Sequence, residues 1–369
     1  AAAGGTWVQL PRQHGICSVP LRREPGLTSC AAEPRQAVVI TSLGAGAWRV
    51  GNGLIELDVS SAGLLALRDR DGRDQLSSSL QLERYRDRGE FWDAWDLAAD
   101  YRSQPLGVLC TDSLEWLDQG PLVAHLVLRR QLGASCMRLD LRLKADTPWL
   151  ELICGIDWRQ THELLRLELP LATPAVRIAA DTSGGVLERP AEPRTAREQA
   201  RWEVPVISWF ASQSAAPGGG MAVLLDGPQG VDWSSDRLGI SLLRGPTWPD
   251  PSADQGWHRQ RLALMPFAGS WSDAGVSQAA IAFREPGWCA DLPAEQRQWF
   301  PSLPLPLTPV GLERHADGCV LKLLNSGSAR CRWTPGAGWR VRREADSIAA
   351  SAVVITPGEL VSLVVDQSS

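Results

Sequence analysis

Residues 48–76 read WRVGNGLIELDVSSAGLLALRDRDGRDQL. Apolar and polar side chains alternate through this stretch, and turn-forming residues interrupt it at 60–63 and again at 69–72. Alternation with a period of two places every second side chain on one face of a strand, and a turn about every ten residues is the rhythm of an all-β chain. The spacing therefore predicts strand, turn, strand, turn, and sets the expectation for everything downstream.

The same period continues through 122–130, 135–144, 150–158 and 164–171, and returns in MAVLLD at 221–226 and LGISLLRG at 238–245. A helix is predicted over 191–201 and a Ser, Ala, Pro and Gly loop over 211–220. PTWPDPSADQG at 246–256 is too rich in Pro and Asp for regular structure and predicts a surface loop of functional length. Proline recurs through 286–309, which predicts an extended linker with a domain boundary inside it. Beyond it GCVLKLLN, ARCRWTP, AVVITP and ELVSLVV are short strands, enough for a small second β-sandwich.

A chain of 369 residues, 44% hydrophobic and 21% charged, has room for more than one core. Its net charge of −5 argues against nucleic acid, whose phosphate backbone calls for clustered positive charge. Lys144 and Lys322 are the sole lysines, so the positive charge is almost all arginine. The eight cysteines form no CxxC pair and the five histidines lie far apart, so no metal site is predicted in this chain. A chain this long needs no disulfide framework, and reduced thiols point to the cytoplasm. No run of residues has the length and apolarity of a signal peptide core or a membrane span, so no membrane partner is expected.

Chemistry concentrates in YRDRGEFWDAWDLAADY, residues 85–101. A sugar has an apolar ring face and a rim of hydroxyls, so its site wants flat aromatics and carboxylates. Trp92, Asp93, Trp95 and Asp96 supply both. The alternative is a sandwich corner, with the tryptophans packed inside and the aspartates ordering turns.

Several stretches, taken in order, resemble the C-terminal half of the glycoside hydrolase family 38 α-mannosidases: GNGLIELDVSSAGLLAL at 51–67, FWDAWD at 91–96, IDWRQTHELLRLELP at 156–170, VLERP at 186–190, ARWEVPVISW at 200–209 and SLLRGPTWPDPSADQGWH at 241–258. The resemblance runs from Trp48 to Val365. It departs from the family pattern at Met265-Pro266-Phe267-Ala268-Gly269, where relatives commonly carry a histidine, and at Trp158-Arg159-Gln160, where they carry Trp-His-Glu. In that family a metal, usually zinc, and the two catalytic carboxyl groups lie in an N-terminal barrel, which this chain is expected to lack. The resemblance implies an N-terminal β remnant or linker over 1–45, a galactose-mutarotase-like β-supersandwich over 46–295 and a small β-sandwich over 296–369. It also implies that Asp157, Trp158 and His162 are structural.

A retaining glycosidase needs two carboxyl groups about 5–5.5 Å apart. Asp93 with Asp96 and Asp250 with Asp254 are candidates in principle, but the resemblance places the chemistry elsewhere and no catalytic residue is expected here. Arg244 ends a strand at a position similar to one from which relatives extend an arginine toward the barrel mouth; the alternative is an ion pair with Asp250 or Asp254. The expectation is that Trp92, Asp93, Trp95, Asp96, Arg244, Asp254 and His258 line one carbohydrate-facing rim. The chain would then be a noncatalytic region buttressing the barrel of an α-mannosidase, inactive alone, with zinc or another divalent metal held by the barrel and α-mannosides as the sugar. Two competitors are a mutarotase-like epimerase on the same sandwich, which needs a His and Glu pair astride the ring, and a free-standing carbohydrate-binding module.

Overall fold

A computed structural model describes residues 34–89, 92–108, 113–215, 218–285, 301–316, 318–346 and 349–367, together with a two-residue backbone pairing of Cys17–Ser18 with Arg297–Gln298. Most of the segment read as an N-terminal remnant, and the proline-rich passage from 286 to 296, lie outside the described residues.

The architecture is all-β. A nine-stranded antiparallel sheet runs, from edge to edge, Gly185–Pro190, Ala175–Thr182, Trp209–Ser214, Gly219–Asp226, Gly256–Ala268, Leu150–Trp158, Ser135–Lys144, Val123–Leu132 and Ser113–Gln119. Facing it is a six-stranded sheet in the order Val204–Pro205, Gly230–Ser234, Arg237–Leu243, Glu163–Pro170, Gln81–Arg86 and Pro105–Val108. A four-stranded meander from Val39–Gly44 to Gly63–Arg68 adds Val50, Leu57, Val59 and Leu64 to the shared core. The turns read at 60–63 and 69–72 are both present, the second held by the Asp69 carboxylate, which accepts from the N–H groups of Asp71 and Arg73 at 2.9 Å.

Register explains the core. Leu139 lies opposite Cys154 and Leu141 opposite Leu152, so the odd-numbered residues of one strand meet even-numbered residues of the next on the inner face. All four are buried, while Arg138 and Arg142, which flank Leu139 and Leu141, turn outward. Glu163–Pro170 departs from simple alternation because both its faces are covered. Leu165, Leu167 and Leu169 enter the main core, and on the other face Leu164 packs beneath Tyr85, Ala98 and Tyr101. Residues 87–89 and 92–104 thus form a cover over the outer side of the six-stranded sheet, and Arg166 beneath it is fully buried.

Three expectations change. The helix read over 191–201 is one turn, Ala196–Gln199, opened by a capping box between Thr195 and Glu198; Pro190 and Pro193 keep the preceding chain out of helical geometry. The loop read over 211–220 is mostly strand, since pairing continues to Ser214 and resumes at Gly219. A second helix, Val276–Arg284, was not expected and packs Val276, Ala280 and Phe283 against Trp209 and Trp271 on the outer face of the nine-stranded sheet.

The C-terminal strands form a smaller sandwich. Leu307–His315, Gly318–Asn325, Leu360–Gln367 and Trp339–Arg343 make one sheet, and Cys331–Trp333 pairs with Val353–Ile355 in the other. Trp333, Leu323, Val341 and Leu363 fill its separate core. Gln278 of the second helix ties it to the large sandwich by donating to the Leu307 carbonyl at 3.0 Å.

Candidate functional site: a strapped tryptophan cluster

Three adjacent strands of the six-stranded sheet end side by side. Glu163 lies opposite Arg86, and Leu165 opposite Leu243, so the chain leaves this sheet at residues 87, 162 and 244 along one edge. Residues 159–162 cross between the two large sheets, from Leu150–Trp158 to Glu163–Pro170. Residues 244–255 cross back, from Arg237–Leu243 to Gly256–Ala268. The two crossovers are joined where the His162 N–H donates to the Gly245 carbonyl at 2.7 Å and Gln255 Nε2 to the Gln160 carbonyl at 2.9 Å. Contact is so close that a Cβ at Gly245 would stand 2.2 Å from the Gln160 oxygen.

Arg244 organises the loop that carries the tryptophans. Its Nε donates to Asp87 Oδ2 at 2.5 Å, its Nη2 to the carbonyls of Asp93 and Asp96 at 2.9 and 2.8 Å, and its Nη1 to that of Ala94 at 3.4 Å. Asp87, 2% exposed, also accepts from the Ala98 N–H at 2.8 Å. Within the turn the Trp92 carbonyl accepts from the N–H groups of Trp95 and Asp96. A planar guanidinium with donors in a fixed fork is suited to gathering several oxygens at once.

Asp93 works from the opposite direction. Its carboxylate is turned inward and accepts from the N–H groups of Thr247 at 2.7 Å and Trp248 at 3.2 Å. Thr247 Oγ1 lies 3.2 Å from His162 Nε2. Asp93 Oδ1 and His162 Nδ1 sit 3.7 Å apart, each buried without a hydrogen-bond partner.

Strapped from both sides, three indole rings meet at the surface. Trp92 and Trp95 are 6.2 Å apart, Trp92 and Trp248 6.3 Å, and Trp95 and Trp248 5.4 Å between ring centroids. Their exposures, 60%, 65% and 51%, are far from those of core tryptophans such as Trp158 and Trp209, at 0% and 2%. Asp96 is exposed beside them. Flat apolar faces next to a free carboxylate form a surface that a sugar ring and its hydroxyls match.

Of the residues expected at a rim, Trp92, Asp93, Trp95, Asp96 and Arg244 are thus brought together, with Asp93 and Arg244 acting as the struts. Arg244 pairs with Asp87, not with Asp250 or Asp254 as the sequence alternative had it. Asp250 instead closes its own turn by accepting from Ser252. Asp254 and His258 form a pair of their own at the far end of the 244–255 crossover, where His258 Nε2 lies 2.8 Å from the Asp254 carbonyl. Sequence reasoning missed Trp248, Thr247 and Asp87; the first two lay in plain view in the GPTWPD motif, and nothing in the sequence tied them to residues about 150 positions earlier.

Among the described residues no three His, Cys, Asp or Glu side chains converge into a metal-binding group, and no helix is long and apolar enough to cross a membrane.

Comparison with known proteins places this geometry. The profile of the Glycosyl hydrolases family 38 C-terminal domain matches residues 50–252, which include the 159–162 crossover, most of the 244–255 crossover and all three exposed tryptophans of the cluster. The chain is 29% identical over 278 residues to human Alpha-mannosidase 2C1, a match covering 72% of this chain and 26% of that protein. It is 26% identical over 208 residues to Alpha-mannosidase G of Dictyostelium discoideum, covering 55% of this chain and 19% of that protein. The chain therefore spans about a quarter of the length of the curated relatives it matches. An α-mannosidase from Enterococcus faecalis V583 shares the fold over 90% of this chain and 42% of its own, with a TM-score of 0.70 at 13% identity. With more than half of its length matched by that profile, the chain belongs to glycosyl hydrolase family 38, as a bearer of the family's C-terminal domain.

Proposed function

We propose that this chain is the noncatalytic, carbohydrate-facing region of an α-mannosidase-like glycoside hydrolase, acting in the cytoplasm against a catalytic barrel that holds zinc or another divalent metal. The observation that carries the reading is the exposed cluster of Trp92, Trp95 and Trp248, braced by Arg244 on one side and Asp93 on the other. Three large apolar rings held at the surface by buried polar struts are a costly arrangement for packing alone, and a natural one for stacking against a sugar. The carboxylate of Asp93 is occupied by backbone N–H groups, which suits a strut better than an acid or a nucleophile. In this reading Asp254, at the end of the 244–255 crossover, and His258, at the start of the strand that follows, extend the rim.

The test is titration of the chain with an α-linked mannobiose, followed by tryptophan fluorescence. The expected result is a saturable change that is weakened by about fivefold in Trp95→Ala and in Trp248→Ala, in keeping with about 1 kcal/mol per aromatic contact. An unchanged signal in both variants removes the cluster from sugar binding. A companion assay of aryl α-mannoside hydrolysis in the presence of zinc is expected to show no turnover by this chain alone.

A further inference from the structure

Away from the tryptophan cluster, a cavity of about 430 Å³ opens between the Gly185–Pro190 edge strand, the 196–202 turn and the Gly230–Ser234 strand. Its size falls in the range of small-molecule sites, roughly 300–1,000 Å³. The charge balance of its wall is the informative feature.

Its floor is a buried ionic network, of which Arg102, Asp232 and Arg237 line the cavity. Arg166, fully buried, bonds to Asp232 and to Glu168, the latter at 2.9 Å, and lies 3.6 Å from Glu203. Arg237 donates to Glu168 at 2.6 Å and Asp232 at 2.7 Å, and Arg102 also pairs with Asp232. Three arginines thus balance three carboxylates. Burial works against the Asp232 anion, yet Arg166 and Arg237 hold its carboxyl below the usual range.

Two further arginines on the cavity wall stand outside that balance. Arg189 lies over the Trp233 ring, 5.9 Å from its centroid, and its Nε and Nη1 are shielded from solvent with no hydrogen-bond partner. Burial and the neighbouring Arg201 both push its guanidinium below the usual arginine range. Neither Arg189 nor Arg201 pairs with a carboxylate among the described residues. The two glutamates on the wall are engaged elsewhere: Glu188 accepts from Trp271 Nε1 at 3.0 Å, and Glu198 from the N–H groups of Arg194 and Thr195 in the helix cap. Shielded guanidinium N–H groups without an acceptor are expensive, and an anion supplies the missing partner.

We propose that this cavity binds a small phosphomonoester carried on a ring, with a hexose phosphate as its simplest form. Arg189 and Arg201 take the head group, whose two negative charges match their two unbalanced positive ones. Trp202 and Trp233 supply flat apolar walls for the ring. None of these four residues belongs to the tryptophan cluster, so the site stands or falls independently of the mannoside-rim reading.

The test is isothermal titration calorimetry of the 369-residue chain at pH 7.5 and fixed ionic strength, using glucose 6-phosphate, glucose, inorganic phosphate and succinate as probes. Glucose 6-phosphate is expected to bind saturably, about tenfold more tightly than inorganic phosphate, with no measurable heat from glucose. Arg189→Gln is expected to weaken it at least tenfold. Arg201→Gln, at an exposed side chain whose loss leaves the fold intact, is expected to weaken it about fivefold. Trp202→Ala is expected to erase the advantage of the sugar phosphate over inorganic phosphate. No binding of glucose 6-phosphate, equal binding in the Arg201→Gln variant, or tighter binding of succinate would each overturn the proposal.

Discussion

Arg244 and Asp87 lie 157 residues apart in sequence, and the 2.5 Å contact between them closes the base of the tryptophan cluster. The same guanidinium reaches three backbone carbonyls of residues 93–96, so one side chain both pairs with a buried carboxylate and sets the shape of a turn.

Replacing Arg244 with alanine leaves Asp87 buried with the Ala98 N–H as its remaining partner. Removing one partner of a buried pair costs roughly 3–5 kcal/mol, and the expected loss here is about 3 kcal/mol because Arg244 retains some exposure. Urea unfolding measures it. Arg244→Lys is expected to recover less than half of the loss, since an ammonium cannot span the carboxylate and the carbonyls with a fixed fork. Both variants should also weaken mannobiose binding.

Trp95→Ala and Trp248→Ala separate function from stability. Both side chains are more than half exposed, so each substitution is expected to cost no more than about 1 kcal/mol, mainly the lost ring-to-ring contact. Trp158→Ala, at a fully buried position, is the contrast and should cost about 3–5 kcal/mol. A sugar-binding defect without a stability defect in the first pair is the outcome that checks the assignment.

Acid stability has an assignable contributor. The Arg49 hydrogen bond, at 2.8 Å, and the Arg68 bond, also at 2.8 Å, lower the Asp58 carboxyl to about 2 from its ordinary 3.8. A depressed carboxyl stabilises the folded state above its unfolded value near 4, and that contribution disappears as pH falls through 2. The expected contribution at neutral pH is roughly 1–2 kcal/mol. Asp58→Asn should therefore be less stable than the native chain at pH 7, with the difference shrinking below pH 4 and vanishing near pH 2 in denaturant titrations.

Cys154 sits at 0% exposure, and burial pushes its thiol up to about 12. Iodoacetamide attacks thiolate, so native chain at pH 8 should leave Cys154 unlabelled, while guanidinium-unfolded chain labels it fully. Mass spectrometry of tryptic peptides reads both states. Labelling of Cys154 in the native state would mean that the inner faces of the sheets separate readily.

The strands of the main sandwich were legible wherever one face is buried and the other wet, as in residues 135–144, because alternation survives there. The pattern in 164–171 was read as half-buried, yet Arg166 is sealed beneath Tyr101 and bonds to Asp232 on another strand as well as to Glu168 on its own. A charged residue in a strand reads as solvent-facing, and what overrules this is a cover that includes Tyr101 and Ala98. The helix at 276–284 was missed because VSQAAIAFR is short, although Val276, Ala279, Ala280 and Phe283 carry the helical spacing. The helix at 191–201 was overread, although the TxxE pair at Thr195 and Glu198 marked its true start. At the candidate site the aromatic motif was visible, but the meeting of Trp248 with Trp92 and Trp95 depends on two chain crossings that no local pattern encodes.

Those crossings have a mechanical consequence. Each joins one large sheet to the other, and they touch where Gly245 passes the Gln160 carbonyl. A sideways slip of one sheet over its neighbour therefore cannot occur without dragging the indole cluster out of shape. The exposed indole surface acts as a strain gauge for the interior: a core substitution far from any tryptophan, if it shifts the two layers, changes the spacing of Trp92, Trp95 and Trp248.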